Sequence, residues 1–457
     1  MNAAFDADQP PDPALIDKCV HCGFCLPSCP TYVLWGEEMD SPRGRIYLMR
    51  SGLDGRAPLT PGFVRHFDAC LGCMACVTEC PSGVQYGPLI EATRGQIERR
   101  YPRPLGDRLF RRALFSLFPY PARLRVALAP LVLWSALRQR RRGDADRAAD
   151  ERQTRGDAQP TRRQPPPDDG TLASRLRALL TLAPRVTWRS LTARLPERTP
   201  AVGQPRLSVG LLTGCVQRMV FPNVNAASVR VLAAEGCDVV APRAQGCCGA
   251  LALHAGRLSE ARRFARRTIA TFERTGVEVV AVNAAGCGSS MKEYGELLAG
   301  DPQWSDRARA FAARVRDISE VLAALGPPAA PRKPAPLRVA YHDACHLAHA
   351  QGISQPPRDL LRSIPGLELL PVGEAEICCG SAGIYNLVEP ATAQQLGDRK
   401  ISHIAEAEPD VIATANPRCM LQLGAAARRL GRSWPIKHPI EILDEAIGTA
   451  VTGPLTR

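Results

Sequence analysis

Eight cysteines near the N-terminus follow a spacing that restricts how this part of the chain can fold. The segment CVHCGFCLPSCP contains four of them in the order C-x2-C-x2-C-x3-C-P, and CLGCMACVTECP repeats that order about forty residues later. The cysteines are Cys19, Cys22, Cys25 and Cys29 in the first run, and Cys70, Cys73, Cys76 and Cys80 in the second. Two runs of thiol ligands at matched spacing predict a unit folded around two metal centres.

Two such runs are typical of two-cluster ferredoxins of the bacterial type, in which the fourth cysteine of each run completes the other cluster. The predicted ligand sets are Cys19, Cys22, Cys25 and Cys80 for one [4Fe–4S] cluster, and Cys70, Cys73, Cys76 and Cys29 for the other. Zinc is the alternative metal, but zinc sites usually present two C-x2-C pairs at a distance. The pattern therefore favours iron–sulfur clusters.

Composition indicates the cellular compartment of the protein. The 457 residues include seventeen cysteines, an odd and clustered set that suits metal binding in a reducing compartment. The N-terminal MNAAFDADQPPDP does not resemble a signal peptide. The longest apolar stretch, VALAPLVLWSAL, is shorter than the roughly twenty residues of a spanning helix. We expect a cytoplasmic protein, with peripheral association with the cytoplasmic face of the inner membrane as an alternative.

Positive charge is concentrated between the cysteine runs and the rest of the chain. The net charge is +13, and the segment from Arg99 to Arg142 holds twelve arginines and one acid, Asp107. Its arginines alternate with apolar residues at helical spacing, which fits a basic amphipathic helix on an anionic membrane. A helical pair docked on its own domain or on a partner is the interpretation we favour. Nucleic acid is not an expected partner, because no recognition module accompanies the charge.

The C-terminal part is an internal duplication. Cysteines of the first copy lie at Cys215, Cys247, Cys248 and Cys287, and those of the second at Cys345, Cys378, Cys379 and Cys419. The offsets between matching cysteines are 130, 131 and 132 residues. Each cysteine follows a short Val/Ile/Leu run, and helical stretches lie between the runs, which predicts an α/β domain with a parallel sheet in each copy.

These cysteines are candidate metal ligands. Ligands collect beyond the carboxyl ends of parallel strands, so each copy should gather its four cysteines at one rim. In both copies a glycine follows the cysteine doublet and permits the sharp turn that two neighbouring ligands require. We predict an iron–sulfur or zinc site in each copy, rather than buried free cysteines, and we interpret Cys237 as a core residue.

Three histidines flank the first cysteine of the second copy. They are His342, His346 and His349, and the first copy has Leu212, Val216 and Met219 at the corresponding places. His346 could ligate a metal. Because histidine is not part of the shared pattern, we favour a structural or gating role.

At this point the chain resembles a known family, the iron–sulfur subunits of bacterial glycolate oxidase (glycolate dehydrogenase). The resemblance rests on the two cysteine runs with SPRGRIYLMR between them, and on NAAGCGSSMKEYG, CCGSAGIYNL and ANPRC. It implies a multidomain fold: an α-helical ferredoxin domain with two [4Fe–4S] clusters, then two α/β "CCG" cysteine-rich domains of the heterodisulfide-reductase type. The expected divisions are 1–100 (ferredoxin domain), 101–140 (basic helices), 141–205 (largely disordered linker), 206–330 and 336–450 (CCG domains).

The resemblance also implies partners. The chain would join FAD-binding subunits that oxidise glycolate to glyoxylate, and would relay electrons from that FAD towards a quinone. Equivalent subunits serve D-lactate or glycerol 3-phosphate, and a heterodisulfide-reductase-like enzyme or a zinc-stabilised scaffold are further alternatives. No G-x-G-x-x-G fingerprint or Ser/His/Asp constellation is present, so we predict no catalytic residue and do not expect the chain alone to oxidise substrate.

Two further expectations concern single positions. The wider CCG superfamily ends each copy with C-x2-C, whereas Ala284 and Asn416 replace the leading cysteine here. Four cysteines could hold a cubane cluster, a zinc ion or nothing, so the CCG ligand sets stay open. Arg43 and Arg45 lie between the cysteine runs, where we predict that they approach the anionic clusters or else cap the fold.

Overall fold

The computed structural model describes residues 4–142, 172–183 and 187–448. The N-terminal part is built from helices, which are α1 (Pro13–Ile16), α2 (Pro30–Trp35), α3 (Pro42–Leu53), α4 (Pro61–Asp68), α5 (Ala75–Thr78) and α6 (Tyr86–Arg100), with a 3-10 turn at Glu38–Asp40. The cysteines lie in the loops between them or at helix ends. Helices α3, α4 and α6 therefore form the frame that holds the two cysteine runs.

Local sequence explains where the frame helices begin. Ser41 precedes α3, and its hydroxyl accepts a hydrogen bond from the Gly44 amide at 3.0 Å. Thr60 caps α4 in the same way through the amide of Phe63. Both helices have proline in the first turn, where the missing N–H costs nothing. Phe63 joins a core of aromatic and aliphatic side chains between these helices.

The basic segment forms helices α7 (Leu105–Leu117) and α8 (Pro121–Arg142). Phe110, Leu114 and Phe115 of α7 are buried and contact apolar side chains of the C-terminal half, including Leu251 and Leu387. The apolar face of α7 is thus covered by the chain itself, which favours the docked-helix interpretation. None of the helices in the described ranges is long and apolar enough to cross a bilayer.

The expected linker 141–205 is more ordered than we predicted. Residues 143–171 lie outside the described residues, but α9 (Leu172–Leu182), α10 (Trp188–Thr192) and strand β1 (Arg198–Thr199) follow. Strand β1 pairs with the first CCG sheet. The start of the segment is rich in proline and charged residues. Its later part contains apolar residues such as Leu179 and Leu191, which pack against apolar side chains of the repeats.

The first repeat contains a five-stranded sheet in the order β1-β3-β2-β4-β5, parallel except for β1. Its strands are β2 (Leu207–Leu212), β3 (Cys237–Val240), β4 (Val279–Val282) and β5 (Val315–Asp317). Its helices are α11 (Gln217–Val220), α12 (Pro222–Ala234), α13 (Ala250–Leu253), α14 (Leu258–Glu273), α15 (Ala285–Lys292), α16 (Tyr294–Leu297), α17 (Ser305–Ala312) and α18 (Ile318–Ala324). The buried strands read as apolar runs, as central parallel strands do.

The second repeat has a parallel sheet in the order β7-β6-β8-β9. Its strands are β6 (Arg338–Tyr341), β7 (Glu368–Leu370), β8 (Val411–Ala413) and β9 (Ile436–Lys437). Its helices are α19 (Cys345–Ala348), α20 (Gln355–Arg362), α21 (Tyr385–Val388), α22 (Pro390–Glu406), α23 (Pro417–Arg429) and α24 (Pro439–Ile447). Apart from β1, the strand order matches that of the first repeat, so the duplication extends from sequence to topology.

The two repeats share one core. Helix α12 packs against α24, and residues of both sheets belong to the same buried cluster. At the cysteine-bearing rims, the Ala285 amide donates to the Ala415 carbonyl at 3.1 Å. The rims of the two repeats therefore face each other, and the ferredoxin-like part lies against both.

Candidate metal centres

One set of four thiols lies near the surface of the helical part. Cys19, Cys22, Cys25 and Cys80 line one cavity, and we call them the outer site. Cys76 also borders this cavity. Cys22 is exposed and the other three are half-buried. Burial raises the pKa of the Cys25 thiol to about 11, so a bound cation is needed to hold it as thiolate at neutral pH.

The other set lies deeper. Cys29, Cys70, Cys73 and Cys76 line a second cavity, and we call them the inner site. The structure thus brings together the two ligand sets predicted from sequence, with Cys29 and Cys80 exchanged between runs. Proline follows each of these two cysteines, and Pro30 begins helix α2 directly after Cys29.

The distances between the sulfur atoms indicate which metal group the thiols can bind. Within the described ranges, three candidate ligand atoms lie mutually within 4.8 Å at one place, formed by His342, Cys379 and Cys419. No three thiols of the outer or inner site are that close. Ligands around a single zinc ion lie about 3.8 Å apart, as Zn–S bonds of about 2.3 Å require. The wider spread fits a [4Fe–4S] cube, on which each thiolate binds a different iron.

An arginine borders each of these two sites. Arg43 lines the outer cavity and donates to the His21 carbonyl at 3.0 Å. Arg45 lines the inner cavity with a side chain that is 1% exposed. Burial alone would raise the pKa of Cys70, but the guanidinium groups of Arg45 and Arg94 hold that pKa below its ordinary value. Both arginines border the thiols, and Arg45 also bonds to the His66 carbonyl and to Asp40 of the same domain.

In both repeats the cysteines follow the carboxyl ends of strands. Cys215 follows β2 and Cys287 follows β4, and the doublet Cys247–Cys248 comes after β3. We call these four the first CCG site; they line one cavity of about 130 Å³. The second CCG site comprises Cys345, Cys378, Cys379 and Cys419, which follow β6, β7 and β8 in the same way.

Glycine shapes both doublets. Gly249 and Gly380 have φ of +89° and +85°, a left-handed conformation that other residues adopt at a cost. A Cβ on Gly380 would lie 2.7 Å from the Ala393 carbonyl oxygen, and one on Gly249 would lie 3.2 Å from the Ala261 carbonyl oxygen. The turn that presents two adjacent thiols therefore also packs tightly against the following helix.

The thiols within each repeat interact directly. The sulfur atoms of Cys215 and Cys247 are 3.5 Å apart, and those of Cys345 and Cys378 are 3.9 Å apart. Hydrogen bonding from Cys247 and Cys287 lowers the pKa of Cys248 well below its ordinary value. In the second repeat, Cys378 and Cys419 lower the pKa of Cys379 in the same way. In the first repeat, the hydrogen bond with Cys247 also lowers the pKa of Cys215.

The inner site adjoins both CCG sites. Cys73 belongs to the same buried cluster as Cys345 and Cys378, and Cys70 lines the cavity that holds the first CCG site. The pKa of Cys73 is raised well above its ordinary value, first by burial and then by the negative charge of Cys345. Three groups of thiols therefore converge where the helical part meets the rims of the two repeats.

Two of the three histidines hold this junction together. The Nε2 atom of His346 lies 3.0 Å from the Gly72 carbonyl oxygen, and Nδ1 of His349 lies 2.9 Å from the Thr78 hydroxyl. Both partners belong to the second cysteine run. The imidazole of His346 also makes an edge contact with that of His254. These contacts give His346 a structural role, which is the role the sequence analysis favoured over ligation.

His342 differs from its two neighbours, and sequence reasoning did not single it out as a ligand. It lies among the thiols of the second CCG site. The signal in the sequence was its position directly after strand β6, at the carboxyl rim. The absence of a histidine at Leu212 in the first repeat obscured that signal.

The positions that lack the leading cysteine have other uses. Ala284 is buried where α15 begins. The Asn416 side chain accepts a hydrogen bond from the Arg418 amide at 3.3 Å and caps α23. Asn416 therefore has a helix-capping role, whereas Ala284 makes no side-chain cap.

Family models match the three parts separately. The model described as "4Fe-4S dicluster domain" matches residues 15–84. The model described as "Cysteine-rich domain" matches twice, over residues 209–292 and 339–424. The chain therefore has an iron–sulfur ferredoxin-like domain followed by two CCG domains.

Two relatives match nearly the whole chain, and a third matches about half of it. It is 37% identical over 436 residues to the probable glycolate oxidase iron-sulfur subunit of Bacillus subtilis (strain 168), which covers 94% of each chain. It is 33% identical to the glycolate oxidase iron-sulfur subunit of Escherichia coli (strain K12), covering 97% of this chain and 96% of that one. Lactate utilization protein A of Exiguobacterium sp. (strain ATCC BAA-1283 / AT1b) is 29% identical, covering 53% of this chain and 99% of that one. The thiol sites, the domain matches and the full-length similarity together show that this chain belongs to the glycolate oxidase iron–sulfur subunit family.

Proposed function

We propose that this chain is the electron-transfer subunit of a glycolate-oxidising complex, in which it carries electrons from the FAD of a partner subunit towards a quinone. The observation that carries the proposal is the continuity of the thiol sites. The outer site reaches the surface through Cys22, Cys76 borders both the outer and the inner cavities, and Cys70 of the inner site borders the first CCG cavity. Relatives over nearly the full length are named as glycolate oxidase iron-sulfur subunits.

The proposed cofactors are two [4Fe–4S] clusters, held by the outer and inner sites. Such a cluster supplies one-electron transfer, and its potential depends on hydrogen bonds to sulfur and on solvent exposure. The Val84 amide donates to Cys80 and the Gly72 amide donates to Cys70, each at 3.4 Å. The first CCG site is the proposed third redox position, because its cavity also contains Cys70.

The surface around the outer site fits a protein partner. Val20 and Phe24 flank Cys22 and are 67% and 66% exposed. Exposed apolar side chains beside a thiol site favour a partner that excludes water there, as protein interfaces do. We assign this surface to the flavin-bearing subunit, so that electrons enter at the outer site.

The test is a reduction assay on the assembled complex. The chain is co-expressed with candidate FAD-binding glycolate oxidase subunits, purified anaerobically, and mixed with glycolate while its EPR spectrum is recorded. We expect about eight or more irons per chain and reduced cluster signals that depend on glycolate. Iron near zero after anaerobic reconstitution, or clusters that glycolate never reduces while the flavin is reduced, would contradict the proposal.

A second substrate deserves the same assay because of one comparison. Lactate utilization protein A matches this chain over 99% of its own length, so a lactate-oxidising complex is the alternative with an observation behind it. D-lactate and glycerol 3-phosphate are added in parallel with glycolate, at equal concentrations. Faster cluster reduction by either compound would reassign the substrate while keeping the electron-transfer role.

A further inference from the structure

A buried imidazole lies among the sulfur atoms of the second CCG site. A ring nitrogen of His342 and the sulfur atoms of Cys379 and Cys419 all lie within 4.8 Å of one another. The three residues are at most 1% exposed. Ligands of one zinc ion lie about 3.8 Å apart, so a shift of about 1 Å would bring these three atoms around a single ion.

The imidazole has no other partner. Within the described part of the chain, the ring nitrogens of His342 have no hydrogen-bond partner other than the Cys379 thiol that they approach. A buried polar group without a partner costs about 1–3 kcal/mol. Its neighbours His346 and His349, in contrast, both hydrogen-bond to the ferredoxin-like part. An imidazole that is buried and directed at two thiols has the arrangement of a metal ligand.

The two repeats differ at this position. The residue of the first repeat that corresponds to His342 is Leu212, which is buried in that repeat's apolar core. His254 and His346 line the cavity of the first CCG site. Within the described residues, however, only His342 has a ring nitrogen that lies within 4.8 Å of two cysteine sulfur atoms in such a group. Three cysteines and one histidine form a common ligand set of structural zinc sites.

We propose that the second CCG site binds one zinc ion through His342, Cys379 and Cys419. The fourth ligand is one of the two cysteines Cys345 and Cys378, whose sulfur atoms are 3.9 Å apart. Binding converts the ligating thiols to thiolates and releases their protons to solvent, while the imidazole binds in its neutral form. No oxidant or reductant is required, because zinc does not change its oxidation state.

A buried cation balances the charge of this site. Lys400 is 2% exposed and donates to the Glu374 carbonyl oxygen. Burial lowers the pKa of Lys400, and the negative charges of Cys379 and Cys378 oppose that effect. One zinc ion with three thiolates carries a net negative charge, which a nearby buried ammonium group stabilises.

The two repeats would then have different roles, since the first CCG site is the proposed redox position and the second is structural. A four-coordinate zinc ion has no open position and no redox chemistry, so the second CCG site would fix the fold. It would hold Cys345 and the adjacent His346 against the second cysteine run, where the inner site lies. This inference does not depend on the substrate or on electron transfer through the rest of the chain.

The direct test is zinc K-edge X-ray absorption of the full-length chain, purified anaerobically, together with zinc and iron content. We expect about one zinc per chain at this site, with one nitrogen and three sulfur ligands. His342→Leu copies the first repeat and should lose that zinc and its nitrogen signal while iron content is unchanged. His342→Cys keeps a ligand, so it should retain zinc with sulfur ligands only.

The matched control is His349→Leu, which removes a histidine from the same segment that contacts no CCG thiol and should leave zinc content unchanged. Wild-type protein without zinc, zinc without a nitrogen ligand, or unchanged zinc ligation in His342→Leu would overturn the proposal. Loss of iron instead of zinc would also overturn it, because the second CCG site would then hold an iron cluster. If His342→Leu fails to fold, the wild-type spectrum and His342→Cys still decide.

Discussion

The Nε2 atom of His346 lies 3.0 Å from the carbonyl oxygen of Gly72, across a separation of 274 residues. Gly72 lies between Cys70 and Cys73 of the inner site, and His346 follows Cys345 of the second CCG site. Because a carbonyl only accepts, Nε2 carries the proton and donates it. One hydrogen bond therefore ties the backbone of one thiol site to the helix that begins at the other.

Removal of this bond should weaken the junction. His346→Leu leaves a buried carbonyl without its donor, and we expect a loss of about 1–3 kcal/mol in the free energy of unfolding. His349→Leu is the matched control, because its contacts with Thr78 and Glu376 are exposed and should contribute less than about 1 kcal/mol. Urea denaturation of both variants measures the difference. Equal losses would show that the His346 bond has no special weight.

Replacement of the fourth cysteines should separate the two clusters. Cys29→Ser should remove the inner cluster and Cys80→Ser the outer one, each lowering iron content by about four per chain. The outer site is more exposed, so the cluster that remains in Cys29→Ser should react faster with a chelator than the one in Cys80→Ser. Iron analysis and EPR read out both effects. If Cys29→Ser removed the cluster of its own run, the assigned exchange would be wrong.

Arg45 should matter more for stability than Arg43. Arg45 is paired with Asp40 at 3.3 Å, and both side chains are at most 1% exposed. Arg45→Met leaves the buried Asp40 carboxylate with His66 at 3.0 Å and Arg65 at 3.7 Å as its remaining partners, so we expect a loss of about 3 kcal/mol, the low end for a broken buried pair. Arg43→Gln breaks the partly exposed pair with Glu38 and should cost less than about 1 kcal/mol.

The same two positions test the electrostatic effect on the clusters. Arg43→Glu and Arg45→Glu each place negative charge beside a thiol site, and we expect a lower reduction potential at the adjacent cluster. Protein-film voltammetry measures the potentials. Unchanged potentials in variants that still hold iron would leave the arginines with a structural role alone.

Gly380 should tolerate no side chain. Gly380→Ala places a Cβ 2.7 Å from the Ala393 carbonyl oxygen as well as straining a backbone with φ of +85°. We expect a loss above about 2 kcal/mol and a displaced cysteine doublet, because strain alone costs about 1–2 kcal/mol. Gly431→Ala is the control, since Gly431 has φ of +69° and no heavy atom within 4 Å of an added Cβ. Thermal unfolding and metal content compare the two; similar losses would mean that the close contact adds nothing.

His438 should make the protein less stable in mild acid. Burial lowers its pKa to about 3, and its Nδ1 accepts from the Ile440 amide at 3.1 Å to cap α24. The unfolded chain takes up a proton near the ordinary pKa of 6.5, whereas the folded chain does not. Stability from this group is therefore full above about pH 6.5 and falls by about 1.4 kcal/mol per pH unit towards pH 3.

The variant His438→Asn isolates this effect. Asparagine also caps helices but does not titrate, so the variant should lose less stability than the wild type between about pH 7 and about pH 5. Denaturant unfolding at both pH values gives the comparison. Burial also lowers the pKa of His254 to about 3. Because His254 is present in both proteins, its contribution to the pH dependence cancels in the comparison. Parallel pH dependence in the two proteins would contradict the assignment.

The sequence by itself determined the plan of the fold and predicted the candidate ligands. Cysteine spacing is a local property, so the two runs, the exchanged Cys29 and Cys80 and the duplicated doublets were readable without coordinates. Alternation of apolar runs and helices likewise predicted a parallel sheet in each repeat. Helices in the expected linker were missed, because their apolar faces are stabilised by distant parts of the chain.

Only the tertiary structure decided what lies beside the thiols. His342 and Cys419 are 77 residues apart in sequence, and no local pattern relates an imidazole after one strand to a thiol after another. The bond from His346 to Gly72 and the burial of Arg45 depend in the same way on how separate elements pack. Residue spacing determines which side chains can lie in the same turn. Contacts between the sheet rims and the cysteine loops form only when several separate elements pack against one another.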